Sequence, residues 1–291
     1  MNFNTRLRID LHIHSRASDG SLTPSEILAL AQRLKLGAIA ITDHDTVDGS
    51  KEALANGLPN SLKFLTGIEI SATPPPPFIC SGSFHILGYA IDLKDLGLNQ
   101  KLQKLQAARQ NRNPQIVKRL NQLGMELTFA ELLDFVPQGQ IGRPHIAQLM
   151  VKKGYAESIS AAFDNFLGQG RPAYVDKFRM TAEQAIHQIL AAGGVPVLAH
   201  PFLMGIQNEA RLEDFIASLK SMGLKGIEVY YPENPPHETD HYISLDRQHE
   251  LLMTGGTDFH GTLKPEIQMG TGKGDFFVPY ALYQKLVQYI R

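Results

Sequence analysis

The feature that most constrains the fold of this chain is a recurring pattern of short apolar runs, each bearing or ending on histidine, aspartate or glutamate and separated by stretches with helical spacing. The first run is Leu7-Arg8-Ile9-Asp10-Leu11-His12-Ile13-His14. In a strand successive side chains face opposite ways, so Leu7, Ile9, Leu11 and Ile13 share one face and Asp10, His12 and His14 share the other. Unpartnered hydrogen-bonding groups cost roughly 1–3 kcal/mol each when buried, so two imidazoles and a carboxylate aimed together imply a shared partner. Neutral imidazole and carboxylate are ligands that Zn, Mn and Fe accept. The pattern returns in Thr42-Asp43-His44-Asp45, Gly67-Ile68-Glu69, Phe84-His85-Ile86-Leu87, the run 195–199 before His200, and Thr257-Asp258-Phe259-His260. Barrels of alternating strand and helix gather functional groups at the carboxyl ends of their strands, and this pattern fits them.

Between the runs lie helix signals. Thr23-Pro24-Ser25-Glu26 is a capping box with proline at the first helical position, Ile27, Leu30, Ala31 and Leu34 lie on one face, and Gly37 is placed to end the helix. The unbroken apolar run 38–42 suits a strand covered on both faces, which completes a βαβ unit. A short helix over 50–56 and strands over 63–69 and 84–89 continue it, with the prolines of 74–77 forming a stiff extended loop. From about residue 99 the chain turns wholly helical: one long helix over 99–123 that Pro114 should kink or split, a capping box at Thr128 and Glu131, and helices over 146–153 and 158–167. Alternation resumes with a helix capped by Thr181, a strand over 195–199, a helix over 209–222, a strand over 226–230, a helix over 240–251, a strand ending at Asp258 and a closing helix over 279–291. The expectation is an α/β fold of seven strands, a distorted (β/α)7 TIM-like barrel. Residues 1–95 and 176–291 form its two parts, and 96–175 is a helical insertion covering the active site.

Composition narrows the function. A formal net charge of −1 over 291 residues gives no broad basic field for duplex DNA, so an anionic ligand must be small and held by local cations or metal. No apolar stretch approaches the roughly 20 residues needed to span a membrane, and residues 1–8 lack the apolar core of a signal peptide, so a cytoplasmic protein without a membrane partner is expected. The single cysteine, Cys80, excludes internal disulfides and a cysteine-based zinc site.

Together the runs contribute His12, His14, Asp19, His44, Glu69, His85, His200, Asp258 and His260, too many groups for one four-coordinate metal and suited to two or three divalent ions. With these residues the sequence resembles the PHP (polymerase and histidinol phosphatase) metal-dependent phosphoesterases. The resemblance rests on Asp-Leu-His-Ile-His at 10–14, Ser-Asp-Gly at 18–20, Thr-Asp-His-Asp at 42–45, Gly-Ile-Glu at 67–69, His-Ile-Leu-Gly-Tyr at 85–89, Leu-Ala-His-Pro at 198–201 and Thr-Asp-Phe-His-Gly at 257–261. Gly-Arg-Pro-His-Ile-Ala at 142–147, Phe-Leu-Gly at 166–168 and Pro-Ala-Tyr-Val at 172–175 resemble the stand-alone members that remove the 3′-phosphate of nucleoside 3′,5′-bisphosphates, some of which also degrade short RNA from the 5′ end.

That resemblance implies three metal sites: His12, His14, Glu69 and Asp258 for one ion; Glu69 with His85 and His200 for a second; Asp19, His44 and His260 for a third. It implies Mn, Zn or Fe as cofactor, a phosphorylated nucleotide or short oligonucleotide as substrate, and water activated by the ions as nucleophile. Arg143 is the leading phosphate clamp, because guanidinium pairs with phosphate oxygens through parallel hydrogen bonds, and His145 contacts a phosphate or protonates the leaving oxygen. Tyr231 stands where many relatives place histidine.

Other candidates have plainer readings. Lys177 and Arg179 are read as solvated rather than as holding a second phosphate; Asp43 and Asp45 either orient imidazoles or cap the following turn; Glu228 either supports a ligand or partners a cation. His237-Glu238-Thr239-Asp240-His241 matches the H-E-x-x-H zinc pattern by letter but follows two prolines, and is read as a coincidence. The rivals are a histidinol-phosphate phosphatase, an amide-bond hydrolase of similar barrel architecture, and a non-catalytic metal-binding module.

Overall fold

The computed structural model of the chain describes residues 7–136, 139–206 and 208–290. The reading of residues 1–8 therefore lies, through residue 6, outside the described residues, as does Arg291, the last residue of the expected closing helix. Among the described residues eight strands form one sheet: β1 (Ile9–Ile13), β2 (Ala38–Ile41), β3 (Lys63–Thr73), β4 (His85–Tyr89), β5 (Met180–Thr181), β6 (Val195–Leu198), β7 (Gly226–Tyr230) and β8 (Leu252–Gly255). The order is β1-β2-β3-β4-β6-β7-β8, with β5 pairing the far end of β3. Ile13 bridges Phe259 just beyond β8, so the sheet nearly closes into a barrel. Ile9, Leu11, Ala38, Ala40, Leu87, Val195 and Val197 share one buried cluster, as parallel strands covered on both faces require.

One strand departs from the expected alternation. The loop 74–84 is too short for a crossover helix, so the chain doubles back and β4 runs antiparallel to both β3 and β6. His85 therefore opens β4 instead of ending it, and the reversal brings it to the mouth where the parallel strands end: it pairs with Ser71, two residues past Glu69. Glu69 likewise sits within β3, which continues to Thr73 to pair with β5.

Helices flank the strands. α1 (Pro24–Arg33) starts at the capping box, with the Thr23 hydroxyl and Glu26 carboxylate each accepting from the other's backbone. α2 (Asp48–Ala55) follows β2. α3 (Leu96–Gln122) is one helix with Pro114 inside it, so of the expected kink or split the split does not occur, and it is buried on both sides of the proline, at Arg109, Arg112, Asn113, Ile116 and Val117. Packing along that face outweighs the missing backbone donor. α4 (Phe129–Phe135), α5 (Arg143–Lys152) and α6 (Ile159–Ala162) complete the region between β4 and β5, and a π turn over Phe163–Leu167 ends at Gly168. A separate apolar cluster of Ile116, Leu120, Leu132, Ile146, Met150, Leu167 and Ala173 holds these helices together, while Leu98, Leu102 and Leu105 at the start of α3 pack with the barrel. α7 (Ala182–Ala191), α8 (Glu209–Ser221), α9 (Pro236–Gln248) and α10 (Tyr280–Ile290) finish the barrel. Among the described residues no helix is long and apolar enough to cross a membrane.

Candidate metal centre and its surroundings

β1 delivers His12 and His14 to the barrel mouth, fully buried. Asp10 does not join them: it accepts from the Thr257 backbone (2.9 Å), the Thr257 hydroxyl (2.5 Å) and the Gly270 backbone (2.8 Å), tying down the segment after β8. That segment comes so close that a Cβ on Gly256 would stand 2.3 Å from the His12 nitrogen, which only glycine permits.

Glu69 is the hub. Its Oε2 lies 3.4 Å from His12 Nε2, 3.2 Å from His14 Nε2 and 2.8 Å from His44 Nδ1, and its Oε1 lies 2.7 Å from His85 Nδ1 and 2.9 Å from His200 Nε2. Burial pushes the Glu69 carboxyl up, but His44, His85 and His12 outweigh it and hold it well below the usual carboxylate range. Asp258 Oδ1 lies 3.4 Å from His12 Nε2 and 3.1 Å from His14 Nε2. Asp19 Oδ1 lies 3.4 Å from His260 Nε2, with His44 Nε2 3.8 Å from its other oxygen. Three sets of converging ligand atoms result: His12, His14, Glu69 and Asp258; His44, Glu69 and His85; and His14, Asp19, His44 and His260. The first matches the allotment implied by resemblance. The others share His44, while His200 approaches Glu69 and, at 3.3 Å, His85 from the side.

Whether this donor set suits metal ions is tested by its unmatched atoms. His12 Nε2, His14 Nε2, His44 Nδ1, Asp19 Oδ1 and Glu69 Oε2 are buried without hydrogen-bond partners, an arrangement costly unless a cation satisfies them. The outer ring atoms are already committed. His12 Nδ1 lies 2.9 Å from Glu228 Oε1 and His260 Nδ1 lies 2.7 Å from the Asp258 carbonyl, so both rings donate outward and present lone pairs inward. The residues fit divalent ions. Asp45, His200 and Asp258 also hold positive φ angles of 55°, 25° and 54°, left-handed backbone that L residues seldom adopt and that clusters at functional sites.

The flanking carboxylates resolve into distinct tasks. Glu228 supports ligands, accepting from the His200 backbone (2.8 Å) besides meeting His12. Asp43 reaches an imidazole only through Ser18, whose hydroxyl lies 3.4 Å from His14 Nδ1; it accepts from the Ser15 backbone (2.7 Å) and the Ser15 and Ser18 hydroxyls (2.6 Å each), fixing the loop that carries Asp19. Asp45 turns away from His44 to accept from the Ser71 backbone (2.8 Å), Arg109 (2.8 Å) and Lys177 (3.2 Å). Tyr231 and Lys264 both donate to Asp258 Oδ2, at 3.2 and 2.6 Å, leaving Oδ1 to face the histidines.

Beside the centre lies a group of cations the sequence reading did not assemble. Lys177 is not solvated, its side chain being 5% exposed, and Arg109 and Arg112 are buried with it. Burial, reinforced by Arg109 and opposed by Asp45, pushes Lys177 down to about 8; burial with Arg109, Arg143 and Arg179 pushes Arg112 down to about 9. Asp45 and Asp176 are the carboxylates paired with Arg109, Lys177 and Arg179, so positive charge is in excess here. Arg143 donates to the Leu167 carbonyl (3.0 Å), with its guanidinium 5.5 and 5.6 Å from the Phe163 and Tyr174 ring centres. Arg109 and Arg112 had a legible signal: they continue the buried stripe Leu98, Leu102, Leu105 at helical spacing, where apolar residues belong. His145, at the third position of α5, accepts from the Gly142 backbone (3.0 Å) through Nδ1 and is pushed down by burial, so its neutral ring carries the proton on Nε2.

The H-E-x-x-H segment is helical after all, since Pro236 serves as a first-turn proline of α9, yet His237 is 79% exposed and the segment enters no ligand group among the described residues.

The model of the PHP domain matches residues 10–254 of this chain. The chain belongs to the PHP family. A 3′,5′-nucleoside bisphosphate phosphatase of Chromobacterium violaceum is 31% identical over 255 residues, covering 87% of each chain. The 5′-3′ exoribonuclease Rnm of Salmonella typhimurium is 32% identical over 265 residues, covering 90% of this chain and 87% of its own. Among solved structures, a Bifidobacterium adolescentis protein assigned to the metal-dependent phosphoesterases superposes with a TM-score of 0.84 at 30% identity, covering 97% of this chain and 96% of its own. This PHP protein is accordingly a hydrolase of phosphoester bonds, built on a nearly closed α/β barrel.

Proposed function

We propose that this PHP protein removes the 3′-phosphate of nucleoside 3′,5′-bisphosphates, with His12, His14, Asp19, His44, Glu69, His85, His200, Asp258 and His260 holding two or three divalent ions. Such ions supply charge for the phosphoryl oxygens and lower the pKa of water. The observation that carries the reading is an excess of positive charge beside the ligand cluster: the buried Arg109, Arg112 and Lys177 side chains, with the half-buried Arg179 and with Arg143 close enough to perturb Arg112, receive the 5′-phosphate while the 3′-phosphate meets the centre. Histidinol phosphate carries one phosphate and would leave these cations unmatched. His145 acts as a hydrogen-bond donor to a phosphoryl oxygen through Nε2. It is not the acid of the reaction, because a second proton on Nδ1 would face the Gly142 N–H. The helical segment 96–175 supplies Arg109, Arg112, Arg143 and His145, and acts as the cover that excludes bulk water.

Phosphorus NMR of the Mn-loaded protein with adenosine 3′,5′-bisphosphate tests this. Release of the 3′-phosphate alone is expected; release of neither phosphate with metal bound, or of the 5′-phosphate, overturns it. Glu228 adds a separate expectation. Glu228→Gln keeps the side-chain size but weakens its hold on His12 and the His200 backbone, and should lower Mn affinity about 10–100-fold in a calorimetric titration. Unchanged affinity would mean that Glu228 does not orient the ligands.

A further inference from the structure

Among the described residues, Lys264 is the one lysine or arginine that pairs with Asp19, Glu69 or Asp258, its Nζ lying 2.6 Å from Asp258 Oδ2. Tyr231, whose hydroxyl also lies 3.2 Å from Glu233 Oε2, meets the same oxygen. The backbone that carries Lys264 is fixed on both sides. Before it, a 3-10 turn (Gly261–Leu263) leans on the loop that carries Asp19: the Thr262 N–H donates to Ser21 Oγ (3.0 Å) and the Ser21 N–H to the His260 carbonyl (3.0 Å). Gly261, at φ 67°, sits so close that a Cβ there would stand 2.0 Å from Ser21 Oγ. After it, the buried Ile267 donates its N–H to the Lys264 carbonyl (3.0 Å). The Lys264 side chain is nonetheless 35% exposed, so its ammonium lies at the open edge of the cluster. One of its three N–H donors meets Asp258, and the others have no protein acceptor among the described residues.

An ammonium is more than the holding of Asp258 requires. A neutral donor would orient the outer oxygen as well, whereas a positive charge beside a site for divalent ions repels them. The charge suits an anion drawn onto the cluster. Its place in the barrel agrees. Arg109 and Lys177 gather at Asp45 after β2, and Lys264 stands after β8. Between them lies β1 with His12 and His14, paired with β2 and bridged at Ile13 to Phe259. We propose that Lys264 is a further catalytic residue, whose remaining N–H donors hold a nonbridging oxygen of the scissile 3′-phosphoryl group. The proposal rests on the reading above, in which that group meets the ligand cluster while the 5′-phosphate meets the buried cations. Lys264 acts by charge and position and keeps its protons. It stabilises the charge spread over the phosphoryl oxygens as the bond from phosphorus to O3′ breaks.

The test removes the charge in two ways. Lys264→Gln keeps a donor for Asp258, and Lys264→Met keeps only the length of the chain. In both, at saturating manganese, kcat for adenosine 3′,5′-bisphosphate is expected to fall about 100-fold and the calorimetric Kd for inorganic phosphate to rise about tenfold or more. The Kd for manganese should be unchanged or lower, because a repelling charge has gone. A lysine that only orients Asp258 gives the opposite pattern: weaker manganese binding in Lys264→Met, wild-type behaviour in Lys264→Gln, and unchanged phosphate affinity in both. That pattern overturns the assignment, as does a wild-type protein that binds no phosphate with its manganese in place. A wild-type protein that binds phosphate but leaves the bisphosphate intact contradicts the nucleotide reading instead, and the phosphate titrations of the variants still decide whether Lys264 touches the phosphoryl group.

Discussion

Glu69→Gln is expected to abolish turnover, with a loss on the order of 10³-fold or more in kcat, and to strip metal from the protein. The side chain keeps its volume, so the barrel has no reason to collapse, but a carboxylate that lies within 3.5 Å of five imidazoles loses its charge. An amide offers one oxygen where the carboxylate offers two, and Oε1 and Oε2 address different histidines. The ligand sets that share Glu69 should therefore lose affinity together. Metal analysis after dialysis and single-turnover kinetics measure the two effects. Full metal content with near wild-type turnover would show that Glu69 is not the hub.

Lys177→Met is expected to raise KM for the bisphosphate by about 100-fold while leaving the melting temperature unchanged or higher. Asp45 keeps Arg109 and both Ser71 donors, so no buried carboxylate is stranded, and the remaining cations lose a like-charged neighbour. The pH dependence follows from the same residue. Burial, assisted by Arg109 and opposed by Asp45, places the folded pKa at about 8, below the ordinary 10.5. The protonated form needed by phosphate therefore fades above about pH 8, and KM rises there in the wild type. The folded protein binds fewer protons than the unfolded chain between about 8 and 10.5, so this group's contribution to stability increases with pH over that window. In Lys177→Met both trends should be absent. A KM that stays flat to pH 10 in the wild type, or a variant with unchanged KM, would remove Lys177 from the substrate site.

Much of the histidine and carboxylate cluster could be read from the sequence because side chains on strands obey a period of two: His12 and His14 share a face by spacing alone. What spacing could not give was direction. His85 reads like the others as a histidine beside an apolar run, and only the doubling back after β3 puts the start of β4 at the mouth. Asp10 shares the histidines' face, yet its carboxylate is consumed by Thr257 and Gly270 from a segment some 250 residues away, a contact no local pattern records. Lys177 reads as solvated because charged residues after a loop usually are; the structure instead pairs it with the buried Asp45, some 130 residues earlier, a pairing that local spacing does not record. Arg109 and Arg112 are legible in principle, as cations in the apolar stripe of α3, although Pro114 beside them suggests a break the packed helix does not have.

The most direct measurement is anomalous scattering at the manganese edge from crystals grown with MnCl₂ and an uncleavable analogue of adenosine 3′,5′-bisphosphate. The account predicts at least two manganese peaks flanking Glu69, the 3′-phosphoryl group upon them and the 5′-phosphate among Arg109, Arg112 and Lys177. Manganese peaks absent at Glu69, or an analogue bound with its 5′-phosphate at the metals, would contradict it.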